Sequence, residues 1–401
     1  MRLEPNLARV ALARFISRSG GLAAFFVGIW GKVAYQMEAT AGEVAVVMAS
    51  LSLSTLAGSF LAGVAVDRYS PRRVLIWGEI AFVPVALAVT MADTIPSMAV
   101  MAALVGFFGA PVFTAVTSFG PYLTSEPSAL ARVNGIIEGA GMAAFVAGPA
   151  LGGLIVKFAS IDWIFVMDAA TSLVAAVIVL PVAVRQIAHT EERHALTEFK
   201  KGIAFGAASP PLRLLLFTSV AVWLMIGNFS ALEPLFYRDV AKAQPDALGW
   251  VNAIFGGGMA VGSLALTRLS ARWRNFRGVA LLAAVNGPAC LLYVGTPNLK
   301  IIALGGAVWG FFVGLWFPLH RTIVQSHTPD EMVGRVTGAF GAFGEGAQLI
   351  PLAVAPQLAR VWGIQEILIG AGLALTAVIL LRYPRFAALD AMALGPQPRS
   401  G

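Results

Sequence analysis

The fold turns on the stretch Gly63-Val64-Ala65-Val66-Asp67-Arg68-Tyr69-Ser70-Pro71-Arg72-Arg73-Val74-Leu75. An uncharged apolar run, 44–66, stops at Asp67-Arg68, and a second run, 74–92, begins just past Pro71 and the basic pair Arg72-Arg73. Each run is close to the roughly 20 residues that a helix needs to cross a hydrocarbon layer. Neither shows the polar face that a soluble helix would present to water. The chain therefore crosses a membrane, turns in a basic surface loop and crosses back.

The whole chain repeats this pattern. Of its 401 residues 58% are hydrophobic and only 12% charged, with mean hydropathy +0.79. A soluble protein cannot cover its own surface with so few polar groups. Twelve apolar segments can be marked, at 16–37, 44–66, 74–92, 98–122, 133–156, 164–184, 214–236, 247–267, 278–298, 301–320, 336–356 and 363–381. Their length and lack of period-two alternation exclude barrel strands, so an all-α polytopic membrane protein with twelve transmembrane helices is expected. The first run is read as a span and not as a cleavable leader, because it is long and Gly20-Gly21 lies inside it. With the termini inside, only Lys32, Lys157, Arg238, Lys242, Lys300 and Arg360 of the 28 Lys and Arg fall outside. The positive-inside rule thus predicts a multi-pass protein of the cell (inner) membrane with both termini cytoplasmic.

The longest internal polar stretch follows the sixth span. It divides the chain into an expected six-helix bundle over 1–184, a cytoplasmic linker over 185–213 with a short amphipathic helix, and a second bundle over 214–401. Arg132-Val133-Asn134-Gly135 opens the fifth span and Arg335-Val336-Thr337-Gly338 the eleventh. Similar openings at corresponding places in the two halves indicate duplication.

Other function classes find no support. The basic residues are dispersed, so no nucleic-acid partner is expected, and Cys290 and four His offer neither an intrachain disulfide nor a metal site. Gly256-Gly257-Gly258 is not followed by Gly-Lys-Ser, and no Gly-x-Ser-x-Gly elbow is present. No enzyme activity, cofactor or metal is expected.

The residues of the 63–75 loop resemble the signature loop of the major facilitator superfamily, a Gly, three residues, Asp-Arg and then a basic pair. Gly63, Asp67, Arg68 and Arg72 match it, Ser70 and Pro71 replace the usual Gly and Arg, and Arg73 keeps the loop basic. Gly148-Pro149-Ala150-Leu151-Gly152-Gly153, Asp168-Ala169 and Pro210-Pro211-Leu212-Arg213 resemble the drug and siderophore exporter branch, which includes macrolide efflux proteins and the enterobactin exporter. The resemblance implies two pseudo-symmetric six-helix bundles and a conformational latch at Gly63, Asp67, Arg68, Arg72 and Arg73. Asp67 can accept bidentate hydrogen bonds from an Arg of an adjacent helix; the alternative is a solvated loop that only sets topology. In the second half Thr267-Arg268 stands where Asp67-Arg68 does in the first. Gly148, Pro149, Gly152 and Gly153 are read as a helix-bend motif, or alternatively as plain helix packing.

Carboxyls inside spans are costly and functional candidates, because burial penalises the charged form and suits the group to carry a proton. Glu138, Glu233 and Glu345 are the candidate proton carriers. Asp168 is read first as structural, and Glu79 lies nearer an end. No Lys or Arg is placed deep enough to partner them, Arg14 and Arg18 falling at the start of the first span.

The resemblance further implies that the first, fourth, seventh and tenth spans line a central cavity. Candidate lining residues are then Phe26 and Trp30, Trp223 and Asn228, Trp309, Phe312 and Trp316, with Phe107, Phe108 and Phe113 in the fourth span; the alternative is aromatics that face lipid or core. Trp163, Trp250 and Trp362 are read as interfacial anchors. An aromatic cavity with few amides suits an amphipathic small molecule better than a sugar or phosphate. The expectation is a monomeric, proton-coupled exporter in the lipid bilayer. A lipid or metabolite transporter, or a non-transporting sensor, is the alternative.

Overall fold

The computed structural model describes residues 4–124, 126–185 and 195–393, and every regular element among them is helical. The crossing helices are α1 (Pro5–Gln36), α2 (Ala41–Tyr69), α3 (Pro71–Met91), α4 (Ile95–Thr117), α5 (Pro127–Phe158) and α6 (Asp162–Val179). After a linker helix (Ala195–Ala208) come α7 (Pro210–Val240), α8 (Asp246–Leu266), α9 (Phe276–Val294), α10 (Leu299–Ser326), α11a (Val333–Ala347), α11b (Leu349–Trp362) and α12 (Ile364–Ala393). Arg2, Arg193 and Arg399, which the topology argument counted, lie outside the described residues, as does 186–194 of the linker.

Local chemistry sets the boundaries. Pro5, Pro71 and Pro210 occupy first turns, where their missing N–H costs nothing. Thr40 opens α2 with its N–H donated to Glu43 Oε2 at 2.8 Å, and Thr94 opens α4 through a reciprocal exchange with Ser97. Among the described residues eleven helices are long and apolar enough to cross a membrane. The twelfth crossing is divided: α11a and α11b meet at Gln348, and Pro351, lacking an N–H, leaves the Ala347 carbonyl without its helical donor at that break. The first helix differs from the sequence expectation in the other direction. It begins at Pro5 and not near residue 16, so Arg14 and Arg18 lie well inside it.

Twelve crossings bring the linker helix and the 67–73 loop to the side where α1 begins and α12 ends, called here the terminal side. Within the first six helices α2 packs on α4, α1 on α5 and α6, and α3 on α4 and α6. Within the last six α8 packs on α10, α9 on α10 and α12, and α7 on α11b and α12. The two sets meet chiefly through α5 against α8 and α2 against α7 and α11b. The linker helix lies on α11a, with Gly202 against the Arg335 backbone.

Candidate functional site: a cavity between the two halves

A cavity of about 590 Å³ lies between the halves. Its wall from the first half holds charges. Arg14 is only 6% exposed, and its guanidinium lies 4.9 Å from the Phe113 ring centroid, with Arg18 at 5.5 Å from the same ring. Such cation–π seats hold a guanidinium in an apolar wall. Glu79, 1% exposed, has the Ser17 and Ser172 hydroxyls and the Arg14 charge beside it, while its Oε2 has no hydrogen-bond partner. Asp168 is buried against Gly20 of α1 and near Glu79. The sequence reading missed this cluster because it placed Arg14 and Arg18 at the start of the first span, too shallow to partner a carboxyl. The missed signal is Arg14, Ser17, Arg18, Gly21 and Phe25, all lining residues, at the three- and four-residue spacing of one helix face.

The other wall is aromatic and acidic. Trp309 packs among Phe229, Phe255 and Tyr293, with centroids 4.6, 5.2 and 5.4 Å away. Trp316 stacks on His320 at 4.8 Å, and the His320 ring nitrogen Nε2 is 3.0 Å from the Leu215 carbonyl. Glu233 is buried and accepts the Tyr293 hydroxyl at 2.5 Å; Glu345 is half-buried at the cavity surface. Among the described lining residues the basic ones are Arg14 and Arg18 alone, both from α1.

Of the expected lining residues, Phe26, Trp30, Trp223, Trp309 and Trp316 line the cavity, as does Phe113. Phe312 does not. Successive residues turn by about 100°, so Trp309, Val313 and Trp316 share a face from which Phe312 is rotated by roughly 60°. Asn228 is also outside, donating its amide to Leu224 O at 2.8 Å within its own helix, and Phe107 and Phe108 meet edge to face outside the cavity lining. Of the candidate proton carriers Glu233 and Glu345 reach the cavity, whereas Glu138 is exposed and outside it, close enough to Arg14 and Arg18 to act on their charges.

The helix-bend motif forms contacts. α5 runs unbroken through Pro149, with Gly148 and Gly152 against α1 and Gly153 against Gly249 of α8. Pro149 cannot donate to Phe145 O, and that freed carbonyl faces Gly256 of α8. This seam closes the half of the interface away from the terminal side. Arg238 reinforces it there, donating to Ala34 O at 2.7 Å and Ala39 O at 3.0 Å while paired with Asp239. Lys32, which is buried, holds Asp162 at 2.7 Å and Thr90 O at 3.1 Å. Toward the terminal side the cavity extends to Arg14, Val116 and Met259. The latch candidates lie beyond it. Asp67, Arg68 and Arg73 are exposed, Arg72 donates to Leu180 O, and among the described residues Asp67 has no hydrogen bond or ion pair. A side chain added at Gly63 would meet nothing within 4 Å.

The sequence model of the Major Facilitator Superfamily matches residues 10–351 and, in a second match, 215–388. The multidrug efflux pump Tap of Mycobacterium tuberculosis is 28% identical over 381 residues, covering 90% of this chain and 89% of that protein. The enterobactin exporter EntS of Shigella flexneri is 25% identical, covering 96% and 94%. Among solved structures the nucleoside transporter NupG superimposes with a TM-score of 0.72 at 12% identity, covering 96% and 99% of the two chains. A POT family transporter with 5-aminolevulinic acid gives 0.73 at 11%, covering 95% and 96%; both likenesses speak for the fold alone. The divided set of twelve crossings, the cavity between its halves and the family match agree, and this multi-pass membrane protein belongs to the Major Facilitator Superfamily.

Proposed function

We propose that the chain, as a monomer, exports amphipathic small molecules across the cell membrane in exchange for protons, with its terminal side cytoplasmic. The observation that carries this reading is the wall formed by α7, α9, α10 and α11a. It sets Glu233 and Glu345 among Trp223, Phe229, Trp309 and Trp316 with no basic residue of its own. Such a wall offers an apolar platform for a flat or amphipathic molecule and carboxyls that exchange a proton for it. The efflux and exporter names of the similar proteins, and the concentration of Lys and Arg on the terminal side, support export outward from the cytoplasm. Bundles over 1–184 and 214–401 would rock about the cavity, parting the α5–α8 seam and closing the terminal side, with Asp67 and the Arg residues of its loop as the latch of that second state. Arg14 and Arg18 favour a second reading, in which the cargo is an anionic or catechol-bearing amphiphile.

The test is transport by proteoliposomes under an imposed pH gradient, with lipophilic cations, macrolides and catechol compounds as cargo. Gradient-driven movement lost in the Glu233→Gln, Glu345→Gln double variant supports the coupling. Unchanged gradient-driven transport in that variant refutes it, and the compounds that move decide between the two cargo readings.

A further inference from the structure

Glu233 is the inner end of a line of buried hydroxyls. Tyr293 of α9 donates to Glu233 Oε1 at 2.5 Å, and its oxygen lies 2.6 Å from the hydroxyl of Tyr237, one turn beyond Glu233 on α7. Tyr237 and Tyr293 are both essentially unexposed. Tyr35, near Tyr237, comes from the other half of the molecule, and its buried hydroxyl has no hydrogen-bond partner. It sits inside the tie that closes the interface, since Arg238, the residue after Tyr237, binds the carbonyls of Ala34 and Ala39 on either side of it. The charged groups facing this end are Arg238, Asp239, Asp246 and Glu38; those facing the inner end across the cavity are Arg14, Arg18, Glu79, Asp168 and Glu345.

The geometry points to a proton relay in which Tyr237 and Tyr293 carry protons between Glu233 and the face of the membrane opposite the terminal side. The step balances without any other reactant than water. Tyr293 passes its hydroxyl proton to the Glu233 carboxylate and takes one from Tyr237, which takes one from hydronium admitted at Tyr35. Both tyrosines end neutral, Glu233 gains one proton and hydronium becomes water. In the conformation described the line stops at the unpartnered Tyr35 hydroxyl behind the Arg238 tie, so no continuous path joins the cavity to that face. Parting the tie admits water to Tyr35 and loads Glu233; closing it isolates Glu233 with the cavity. The relay thus works in one of the two states, as exchange without leak requires.

The inference rests on the proton-coupled reading, and its test separates the two. Proteoliposomes of the full chain are loaded with ethidium, and two rates are compared: efflux driven by a pH gradient, and exchange of ethidium against ethidium without a gradient. Tyr237→Phe and Tyr293→Phe keep the rings and delete the hydroxyls. Each is expected to lower gradient-driven efflux by about ten-fold or more, in the manner of lost proton-transfer groups, and Tyr237→Phe, which lies outside the cavity lining, is expected to keep exchange within about two-fold of the unaltered protein. Glu233→Gln is expected to lose gradient-driven efflux to the same extent. If Tyr237→Phe retains full gradient-driven efflux while Glu233→Gln loses it, the relay is wrong and the coupling stands. If Tyr237→Phe loses exchange as fully as efflux, the hydroxyl is structural and the relay is again wrong. Gradient-driven efflux intact in Glu233→Gln removes the relay and leaves the coupling to Glu345, and gradient-driven efflux absent from the unaltered protein removes both.

Discussion

Gly256→Ala should shift the protein away from the conformation described here. A methyl group at Gly256 would stand 2.5 Å from the Phe145 carbonyl oxygen and 2.9 Å from its carbon, both backbone atoms of α5. A helix backbone cannot yield as the end of a side chain can, so α5 and α8 must separate by about 1 Å to restore van der Waals contact. Overpacking of this kind costs about 1–3 kcal/mol. The contact belongs to the closed state of this face, and the cost falls on that state alone. At about 1.4 kcal/mol per factor of ten, the ratio of closed to open should fall by about five-fold to more than a hundred-fold. Spin labels on cysteines replacing Ser160 and Lys242, exposed loop residues of the two halves on this face, would report the change in a Cys290→Ala background. Double electron–electron resonance should show a longer distance gaining weight in Gly256→Ala. Gly257→Ala is the control, since a methyl there meets nothing within 4 Å. An unchanged distance distribution in Gly256→Ala, or an equal shift in the control, would refute the reasoning.

Three further predictions follow from other parts of the structure. Arg238→Ala removes the Nη1 donor to Ala34 O and Ala39 O, and Arg238→Lys lacks the fork that grips Asp239 through Nε and Nη2 while Nη1 holds both carbonyls; each should open the same face, by about 1–2 kcal/mol, in the same distance measurement. Ser70 holds φ 75° and ψ 149°, a region suited to glycine, so Ser70→Gly should raise the thermal unfolding midpoint in detergent, with about 1 kcal/mol of relief; an unchanged or lowered midpoint counts against that strain. Trp309→Ala should weaken ethidium binding by about ten-fold in a fluorescence titration, as loss of a buried aromatic contact does, while Phe312→Ala stays within about two-fold. Equal effects of the two would return Phe312 to the cavity face.

The identity of the usual residue at position 70 explains the turn between α2 and α3. The resemblance places a glycine there, and the structure shows the positive φ that makes glycine the favoured choice. Elsewhere the sequence reading went astray where it judged residues one at a time. Arg14 and Arg18 looked like the edge of a span because an arginine is costly in lipid, yet the Phe113 ring and the neighbouring acid seat them inside the protein. Trp309, Phe312 and Trp316 looked like one stripe, but a rotation of roughly 60° separates the middle residue from the face that the cavity uses.

The sequence by itself determined the class, the crossings and the side on which the arginines gather. These follow from hydropathy and charge summed along the chain, and water and lipid read those sums without reference to tertiary contacts. It also marked Gly148, Pro149, Gly152 and Gly153, and the acids Glu233 and Glu345. Only the tertiary structure decided which face is closed, that Tyr293 and Tyr237 stand in line with Glu233, and that Glu138 is outside the cavity while Glu79 and Arg14 are within it. Those outcomes depend on how helices far apart in sequence are rotated against one another. A rotation of a third of a turn moves a side chain from lipid to cavity without changing the hydropathy of its helix.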